Sequence, residues 1–389
     1  MNTKTHSPRL TLVVASVAHS FSHMFILLYA TVVLVLDVKF NLSYAELQWL
    51  SVPGFVMFGV AALPAGWLGD RWSARGMIVI FFIGLGFSSI VTGFANNQTG
   101  LLVGLTLIGV FGSIYHPVGI AWLVKHSKNR GRALGINGVF GNIGTASAAL
   151  LAGALTDFFG WRFAFIVPGI LAVFCGIGLI IIIFMGFLKE VDGDAVENPE
   201  TQPKDVRRAF AALFVTVIMV GLIFQSTSVG LPKIFSDRLS IGDGALGIGA
   251  LVALVYLISA AAQLIGGEAA DRLQQRKVYM LAQLFQIPIV LVAFYTASYG
   301  LVLLAVLMVA LNMGAQPVEN ALVAKYTPTY LRSRVYGVKF VLTLGVTAAG
   351  VALVPIIAGY MGTLDFLFIV IAVFAMFSTI AAWYLPRDN

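Results

Sequence analysis

The sequence predicts an all-α membrane protein with twelve transmembrane helices in two pseudo-symmetric six-helix lobes. Three observations predict this fold class. The 389 residues are 59% hydrophobic and only 11% charged, with a mean hydropathy of +0.93. A soluble domain carries about 25% charged residues, so the composition excludes a soluble enzyme. Twelve apolar stretches are long enough to cross a bilayer, and motifs of the first half recur in the second half.

Each apolar stretch of about 20 residues is read as one span. A polar stretch of mixed charge with two prolines separates six spans from six, and its composition is typical of a solvated linker. We therefore predict an N-terminal lobe over 1–187, a cytoplasmic linker over 188–207 and a C-terminal lobe over 208–389. The predicted spans are 10–36, 44–66, 76–95, 100–124, 132–156, 161–187, 208–232, 244–266, 278–297, 300–324, 335–358 and 365–385.

The distribution of basic residues predicts the topology. If both termini and the linker are cytoplasmic, all but four of the 24 Lys and Arg residues fall on that side of the membrane. This bias indicates an integral protein of the cytoplasmic (inner) membrane with both termini inside. The net charge of +7 then reflects loop topology rather than binding to nucleic acid. The four exceptions are Lys39, Arg162, Lys233 and Arg238.

Two motifs recur in one register across the two halves, which indicates a parallel repeat of the kind found in transporters. His116-Pro117 in the fourth span corresponds to Gln316-Pro317 in the tenth. The other motif combines a glycine, an aspartate and two arginines. Its first copy follows the second span and its repeat follows the eighth. We expect its glycines to permit a tight turn after the helix and its aspartates to accept hydrogen bonds at the next helix N-terminus. Its residues are Gly66, Asp70, Arg71 and Arg75, repeated as Gly267, Asp271, Arg272 and Arg276.

The doubled G-x-x-x-D-R-x-x-x-R pattern at 66–75 and 267–276 resembles the signature loop of the major facilitator superfamily, and the run 160–165 (GWRFAF) is similar to the turn that opens its sixth helix. The resemblance implies the major facilitator fold, alternating access in the lipid bilayer, and a cavity lined by helices 1, 4, 7 and 10. It also implies that the motif residues form a cytoplasmic conformational latch. Ser73 replaces a usual glycine and Gly76 a common basic residue, so the first latch is expected to be weaker. Tyr115-His116-Pro117 is similar to the fosmidomycin-resistance-like branch of the family.

Very few ionisable side chains lie far from the predicted helix ends, and such groups are functional candidates because their burial in a membrane is costly. His19 and His23 are four residues apart and share one helix face. They are candidates for substrate binding together with His116, and His19 also for proton coupling. Pro117 is expected to kink helix 4 next to His116, with a matching kink at Pro317. Two alternatives stay open: neutral histidines hydrogen-bonded to neighbouring helices, or a metal site formed by the three imidazoles.

Glu319 is the acidic residue that we place well inside a span, and we predict that it takes up and releases a proton during transport. A salt bridge to Lys325 or Lys339 is the structural alternative. Further substrate-binding candidates are Tyr29, Gln225 and Asn312. The glycines of helix 5 at 135, 138, 141 and 144 predict a face for close packing against another helix.

These observations predict a secondary active transporter of a small organic solute, coupled to protons, with export slightly favoured over import. The alternatives are a transporter of a transition metal or metal chelate using His19, His23 and His116, and an uptake permease for a small organic anion. A membrane sensor or membrane-embedded enzyme is a more remote reading. No phosphate-binding loop, catalytic triad or zinc-protease motif is present, so we expect no enzyme activity, no catalytic residues, no cofactor and no nucleic-acid partner. We expect the chain to act as a monomer.

Overall fold

A computed structural model describes residues 8–127, 130–188, 206–242, 244–326 and 332–386, with the side chains of 130–131, 324, 332–344 and 347 left undescribed. Most of the predicted linker, 189–205, lies outside these residues. In the described part of the chain, eleven helical segments are long and apolar enough to cross a membrane, and Ala348–Met361 forms a shorter apolar segment within a further long helix. The predicted twelve-helix fold is confirmed.

We number the membrane helices α1 to α12. The helices of the first half are α1 Pro8–Val32, α2 in three pieces (Tyr44–Trp49, Val52–Val60 and Ala62–Arg71), α3 Ala74–Gly93, α4 in three pieces (Gln98–Gly112, a π-helical turn Tyr115–Gly119 and Ile120–Lys125), α5 Arg130–Phe159 and α6 Phe163–Phe184. Those of the second half are α7 Val206–Arg238, α8 Ala245–Arg272, α9 Gln275–Tyr295, α10 Gly300–Tyr326, α11 Arg332–Met361 and α12 Phe366–Tyr384.

The helices form two compact units. Unit 1 takes its described residues from 1–42, 50–196 and 244–249, and unit 2 takes them from 43–49, 197–243 and 250–389. In unit 1, α1 packs along α5 and α3 packs along α6. In unit 2, α7 packs on α11 and α12, while α9 packs on α10 and α12. Every site described below lies inside one unit.

Glycines set how closely the helices of each unit approach. A Cβ added at Gly109 would lie 1.9 Å from the carbonyl oxygen of Gly54, and one at Gly144 would lie 2.2 Å from the carbonyl oxygen of Ser20. Small residues permit this backbone-to-backbone contact, which is a recurrent way of packing membrane helices. The predicted packing face of α5 is therefore confirmed at Gly141 and Gly144, whereas a Cβ at Gly135 would meet nothing within 4 Å.

The turns predicted at the motif glycines are wrong. α2 continues through Gly66 to Arg71, and α8 continues through Gly267 to Arg272. Glycine permits a turn but does not require one, and a helix that is packed against its neighbours can continue through it. A Cβ at Gly66 would lie 3.2 Å from the Cβ of Pro117. Gly66 therefore provides room for a neighbouring helix. The cap predicted for Asp70 is also wrong, because the Ser73 side chain accepts the hydrogen bond from the backbone N–H of Gly76 at the start of α3.

Candidate functional site

The three candidate histidines come together in unit 1. One ring nitrogen from each of His19, His23 and His116 lies within 4.8 Å of the other two. His19 Nε2 and His23 Nε2 are 3.2 Å apart, which is hydrogen-bonding distance. The His116 ring stands edge-on to both, with centroid distances of 5.3 Å to His19 and 5.4 Å to His23. His19 and His116 are buried and His23 is half-buried, so this histidine cluster is an interior site with one partly open side.

α5 anchors the histidine cluster. His19 Nδ1–H donates to the backbone carbonyl of Asn137 at 2.8 Å, and a carbonyl can only accept, so Nδ1 carries the proton. A Cβ at Gly141 would lie 2.7 Å from the His19 ring, so only glycine lets α5 pass this close to the imidazole. The Ser20 hydroxyl adds a 2.6 Å hydrogen bond to the carbonyl of Phe140. The close approach of α5 at Gly141 and the bond to Asn137 thus orient His19.

Aromatic side chains enclose the cluster. Tyr115 is stacked on His19 with ring centroids 4.9 Å apart and an interplanar angle of 23°. Its hydroxyl donates to Asn137 Oδ1 at 2.9 Å, so the backbone and the side chain of Asn137 support two neighbouring rings. The Phe58 ring stands edge-on to His116 at 5.9 Å. Sequence reasoning did not select Tyr115, although its place directly before His116 is a signal that could have found it.

The π turn Tyr115–Gly119 positions His116. Proline lacks a backbone N–H and its ring clashes with the carbonyl four residues earlier in a regular α-helix. The wider π turn accommodates Pro117 here, and such turns are frequent at functional sites. Gly119 is required beside it, because a Cβ there would lie 2.4 Å from the Tyr115 ring. The expected distortion of α4 is therefore present, as a π turn rather than an open kink.

Gln225 and Asn312 are buried inside unit 2. Asn312 lines a small cavity of about 10 Å³, room for about one water molecule, bordered also by Thr227, Tyr256 and Gln286. Thr227, Gln286 and Asn312 each have one buried polar atom without a hydrogen-bond partner among the described residues. Buried polar atoms of this kind are ordinarily satisfied by ordered water. Tyr29 is buried on α1, roughly 15 Å along the helix axis from His19 at 1.5 Å per residue.

Glu319 lies in the interior of unit 2. The Tyr279 hydroxyl donates to Glu319 Oε2 at 2.5 Å, and Tyr279 itself belongs to a buried apolar cluster with residues of α7, α10 and α12. Lys325, one of the two predicted salt-bridge partners, is exposed and its ammonium lies 5.5 Å from the Tyr326 ring centre. The side chain of Lys339, the other one, lies outside the described residues. The carboxyl group of Glu319 is thus held by a phenol on α9.

Each copy of the repeated motif contacts its own unit. Arg75 donates to the carbonyl of Leu188 just after α6, and Arg276 donates to the carbonyl of Trp383 in the last turn of α12. The two arginines are equivalent in the repeat, and each binds near the end of the last helix of its half. The remaining contacts differ, since Arg71 lies over the Trp67 ring and Arg272 pairs with Glu268. Asp70 and Asp271 lie in the last turns of α2 and α8.

The chain matches the family model described as the Major Facilitator Superfamily over residues 13–338 and 213–389. It is 24% identical over 367 residues to the probable nitrate transporter NarT of Staphylococcus carnosus (strain TM300), covering 91% of this chain and 89% of that protein. It is 24% identical over 302 residues to the nitrite extrusion protein of Bacillus subtilis (strain 168), covering 75% and 71% respectively.

Solved structures share the fold. The inward-facing, unoccupied structure of a bacterial homologue of the human lysosomal transporter Spinster matches with a TM-score of 0.78 at 14% identity, covering 99% of this chain and 98% of that one. A D-xylose–proton symporter matches with a TM-score of 0.77 at 12% identity, covering 98% and 99%. The repeated motif, the twelve helices and the family match agree: this chain belongs to the Major Facilitator Superfamily, as an integral membrane transporter of small solutes and not as an enzyme.

Proposed function

We propose that the chain is a secondary active transporter that moves a small organic solute across the cytoplasmic (inner) membrane by alternating access, coupled to protons, with export as the favoured direction. Both termini are cytoplasmic in this proposal, and the monomer is the working unit, with the lobes 1–187 and 208–389 as its moving parts. The observation that carries the proposal is the histidine cluster of unit 1, in which His19, His23 and His116 lie within 4.8 Å of one another.

Protonation of His19 changes its hydrogen bond with His23. Because His19 Nδ1 donates to the Asn137 carbonyl, the Nε2 of neutral His19 has a lone pair, and His23 Nε2–H donates to it across 3.2 Å. A proton added to His19 Nε2 places N–H groups on both sides of this contact. Either the two rings then separate, or His23 moves its proton from Nε2 to Nδ1 and accepts from His19. In both cases the protonated pair has one more N–H donor than the neutral pair. Protonation therefore changes the hydrogen-bonding capacity of the site.

Glu319 is the second proton site in this proposal. A buried carboxyl group inside a membrane span is functional by default because an uncompensated charge there is costly. The Tyr279 hydroxyl donates a hydrogen bond to Glu319 Oε2 and orients the carboxyl group. Gln225, Asn312 and Tyr29 are proposed as further solute contacts.

The motif residues are proposed to act as a conformational latch on the cytoplasmic side of the membrane. Arg75 and Arg276 support this role, since each connects its copy of the motif to a backbone carbonyl near the end of the last helix of that half, at Leu188 and at Trp383. The latch comprises Gly66, Asp70, Arg71, Arg75, Gly267, Asp271, Arg272 and Arg276.

A second candidate function is uptake of a small anion. It is supported by the likeness to a protein named as a probable nitrate transporter over 91% of this chain. Protonated histidines supply positive charge and N–H donors, both of which favour an anion. The relative named as a nitrite extrusion protein supports the opposite direction for a similar solute.

The test uses purified protein in liposomes that contain a pH-sensitive dye, with nitrate, nitrite, lactate, riboflavin and puromycin as probes. We expect at least one probe to exchange and to move protons with it. Glu319→Gln should keep exchange of that probe but lose its accumulation under a pH gradient, because a carboxamide cannot carry a proton. The matched control is Glu46→Gln, an exposed position in unit 2 where glutamine preserves the cap on Ser43.

Accumulation that is unchanged in Glu319→Gln would reject the proton role of Glu319. Exchange without any dye response in the wild-type protein would reject proton coupling altogether. The sign of the gradient that drives accumulation distinguishes export from uptake.

A further inference from the structure

We propose that His19, His23 and His116 bind a transition-metal ion such as Zn²⁺, with a small anion in the fourth position, so that the solute recognised at this site is a small organic anion bound through the metal ion. The inference rests on the proposed function in one respect, namely that the histidine cluster is the solute site. The binding of metal by the three imidazoles rests on their geometry alone.

Two of the three nitrogens are already spaced as ligands of one ion. Zinc binds histidine nitrogen at about 2.0–2.1 Å in tetrahedral geometry, which places two ligand nitrogens about 3.3 Å apart. The observed separation of His19 Nε2 and His23 Nε2 is 3.2 Å. The ligand nitrogen of His116 lies within 4.8 Å of both, so an inward shift of about 1.5 Å completes a three-nitrogen site.

The surroundings of His19 are those of a metal ligand. A metal-binding histidine usually donates its second ring N–H to a carbonyl or carboxylate, which fixes the tautomer and directs the lone pair at the ion. His19 Nδ1 makes that bond to Asn137, and Tyr115 fixes the ring by stacking and by its own bond to Asn137 Oδ1. The π turn holds His116 on the other side of the cluster. His23 is half-buried, so the cluster is partly exposed on that side.

The donor set determines which ion and which fourth ligand fit. Imidazole nitrogen favours zinc, copper, iron and nickel, whereas magnesium and calcium prefer oxygen. Among the described residues, the ligand group contains three neutral histidines and no carboxylate. A divalent ion would keep its full charge in a buried site, which is costly unless an anion accompanies it. Three histidines plus one open position is also the arrangement of zinc sites that take an exogenous ligand.

The experiment measures binding of Zn²⁺ and Co²⁺ to the full chain in detergent micelles, in chloride buffer, with Mg²⁺ as the negative control. We expect calorimetric binding of one Zn²⁺ per chain and the visible absorption of tetrahedral Co²⁺. His23→Gln should lower Zn²⁺ affinity at least ~100-fold, beyond the 10–100-fold typical of losing a supporting group. The matched control is His126→Gln, a buried histidine whose Nδ1 donates to the Trp122 carbonyl outside the cluster.

His23 is the variant of choice because it is half-buried and its loss leaves no deep cavity. Zn²⁺ should raise the thermal midpoint of the wild type and of His126→Gln, but not that of His23→Gln, since a ligand stabilises only the state that binds it. Absence of Zn²⁺ binding by the wild type, or equal affinity in His23→Gln, overturns the metal site.

The liposome assay, repeated after removal of metal by chelation, separates the two proposals. Proton-linked exchange in a protein that binds no metal overturns the metal site and leaves the proposed function standing. Metal binding in a protein that exchanges no probe, with or without added Zn²⁺, overturns the proposed function and leaves the metal site standing.

Discussion

The fourth and tenth helices have the same proline in repeat-equivalent positions but in different local structures. In unit 1, Pro117 lies in a π turn that interrupts α4. In unit 2, α10 is one continuous α-helix from Gly300 to Tyr326 that includes Pro317. A proline in a membrane helix therefore does not determine one local structure. The local structure depends on which neighbouring groups bind the carbonyl that the proline leaves without its helical N–H partner.

The side chains next to the two prolines differ as well. His116 faces two other imidazoles and an aromatic wall, whereas Gln316 accepts a 3.3 Å hydrogen bond from Gln263. The two halves share the order of their six helices and the position of this proline, but their buried polar side chains differ. The clustered imidazoles are in unit 1, and the buried carboxyl group of Glu319 is in unit 2.

The largest effect is expected where the backbones touch near Pro317. A Cβ at Gly266 would lie 1.9 Å from the carbonyl oxygen of Gly314, and neither backbone can move without separating α8 from α10. Overpacking of this kind costs about 1–3 kcal/mol and occasionally more. Gly266→Ala should therefore lower the thermal midpoint in detergent and the yield of folded protein. A midpoint equal to that of the wild type would show that these two helices are not in fixed contact.

An exchange of the two dipeptides tests the chemical difference. His116→Gln gives unit 1 the dipeptide of unit 2 and removes one imidazole from the cluster. We expect solute exchange in liposomes to fall about 10- to 100-fold, equivalent to about 1.5–3 kcal/mol of lost interaction. Gln316→His should leave exchange unchanged, because its neighbour is Gln263 and not an imidazole. Equal losses in the two variants would contradict a role that is specific to the imidazole of His116.

The smallest effects are expected at the repeated motif glycines. A Cβ at Gly66 would lie 3.2 Å from the Pro117 Cβ, whereas one at Gly267 would meet nothing within 4 Å. Gly267→Ala should raise the thermal midpoint slightly, because alanine is favoured over glycine in a helix by about 0.8–1.0 kcal/mol. Gly66→Ala should lose that gain to crowding against Pro117. Identical shifts in both variants would contradict a difference between the two halves at this position.

Much of the fold was predictable because its signals are local in the chain. Apolar runs of about 20 residues mark the spans, since only a helix satisfies its backbone in lipid. The boundaries at Arg71 and Arg272 were missed because the motif glycines suggested turns. Whether a glycine ends a helix depends on what packs beside it, here Pro117 for Gly66, and that neighbour is distant in the sequence.

The candidate site was predictable in its members but not in its arrangement. The spacing of His19 and His23 places them on one helix face, and His116 was selected because few ionisable residues lie deep in the spans. The support from Asn137 and the stacked ring of Tyr115 come from α5 and α4, and no pattern along the chain links these residues to His19.

The sequence by itself determined the twelve spans, the internal repeat and the set of titratable side chains. These features can be read along the chain without knowing which helices are neighbours. The tertiary structure alone decided that three imidazoles meet within 4.8 Å, that the Glu319 carboxyl bonds to Tyr279, and that two equivalent prolines take different forms. The physical reason is that these features depend on how closely neighbouring helices approach. That distance is set at glycine contacts between segments far apart in the chain.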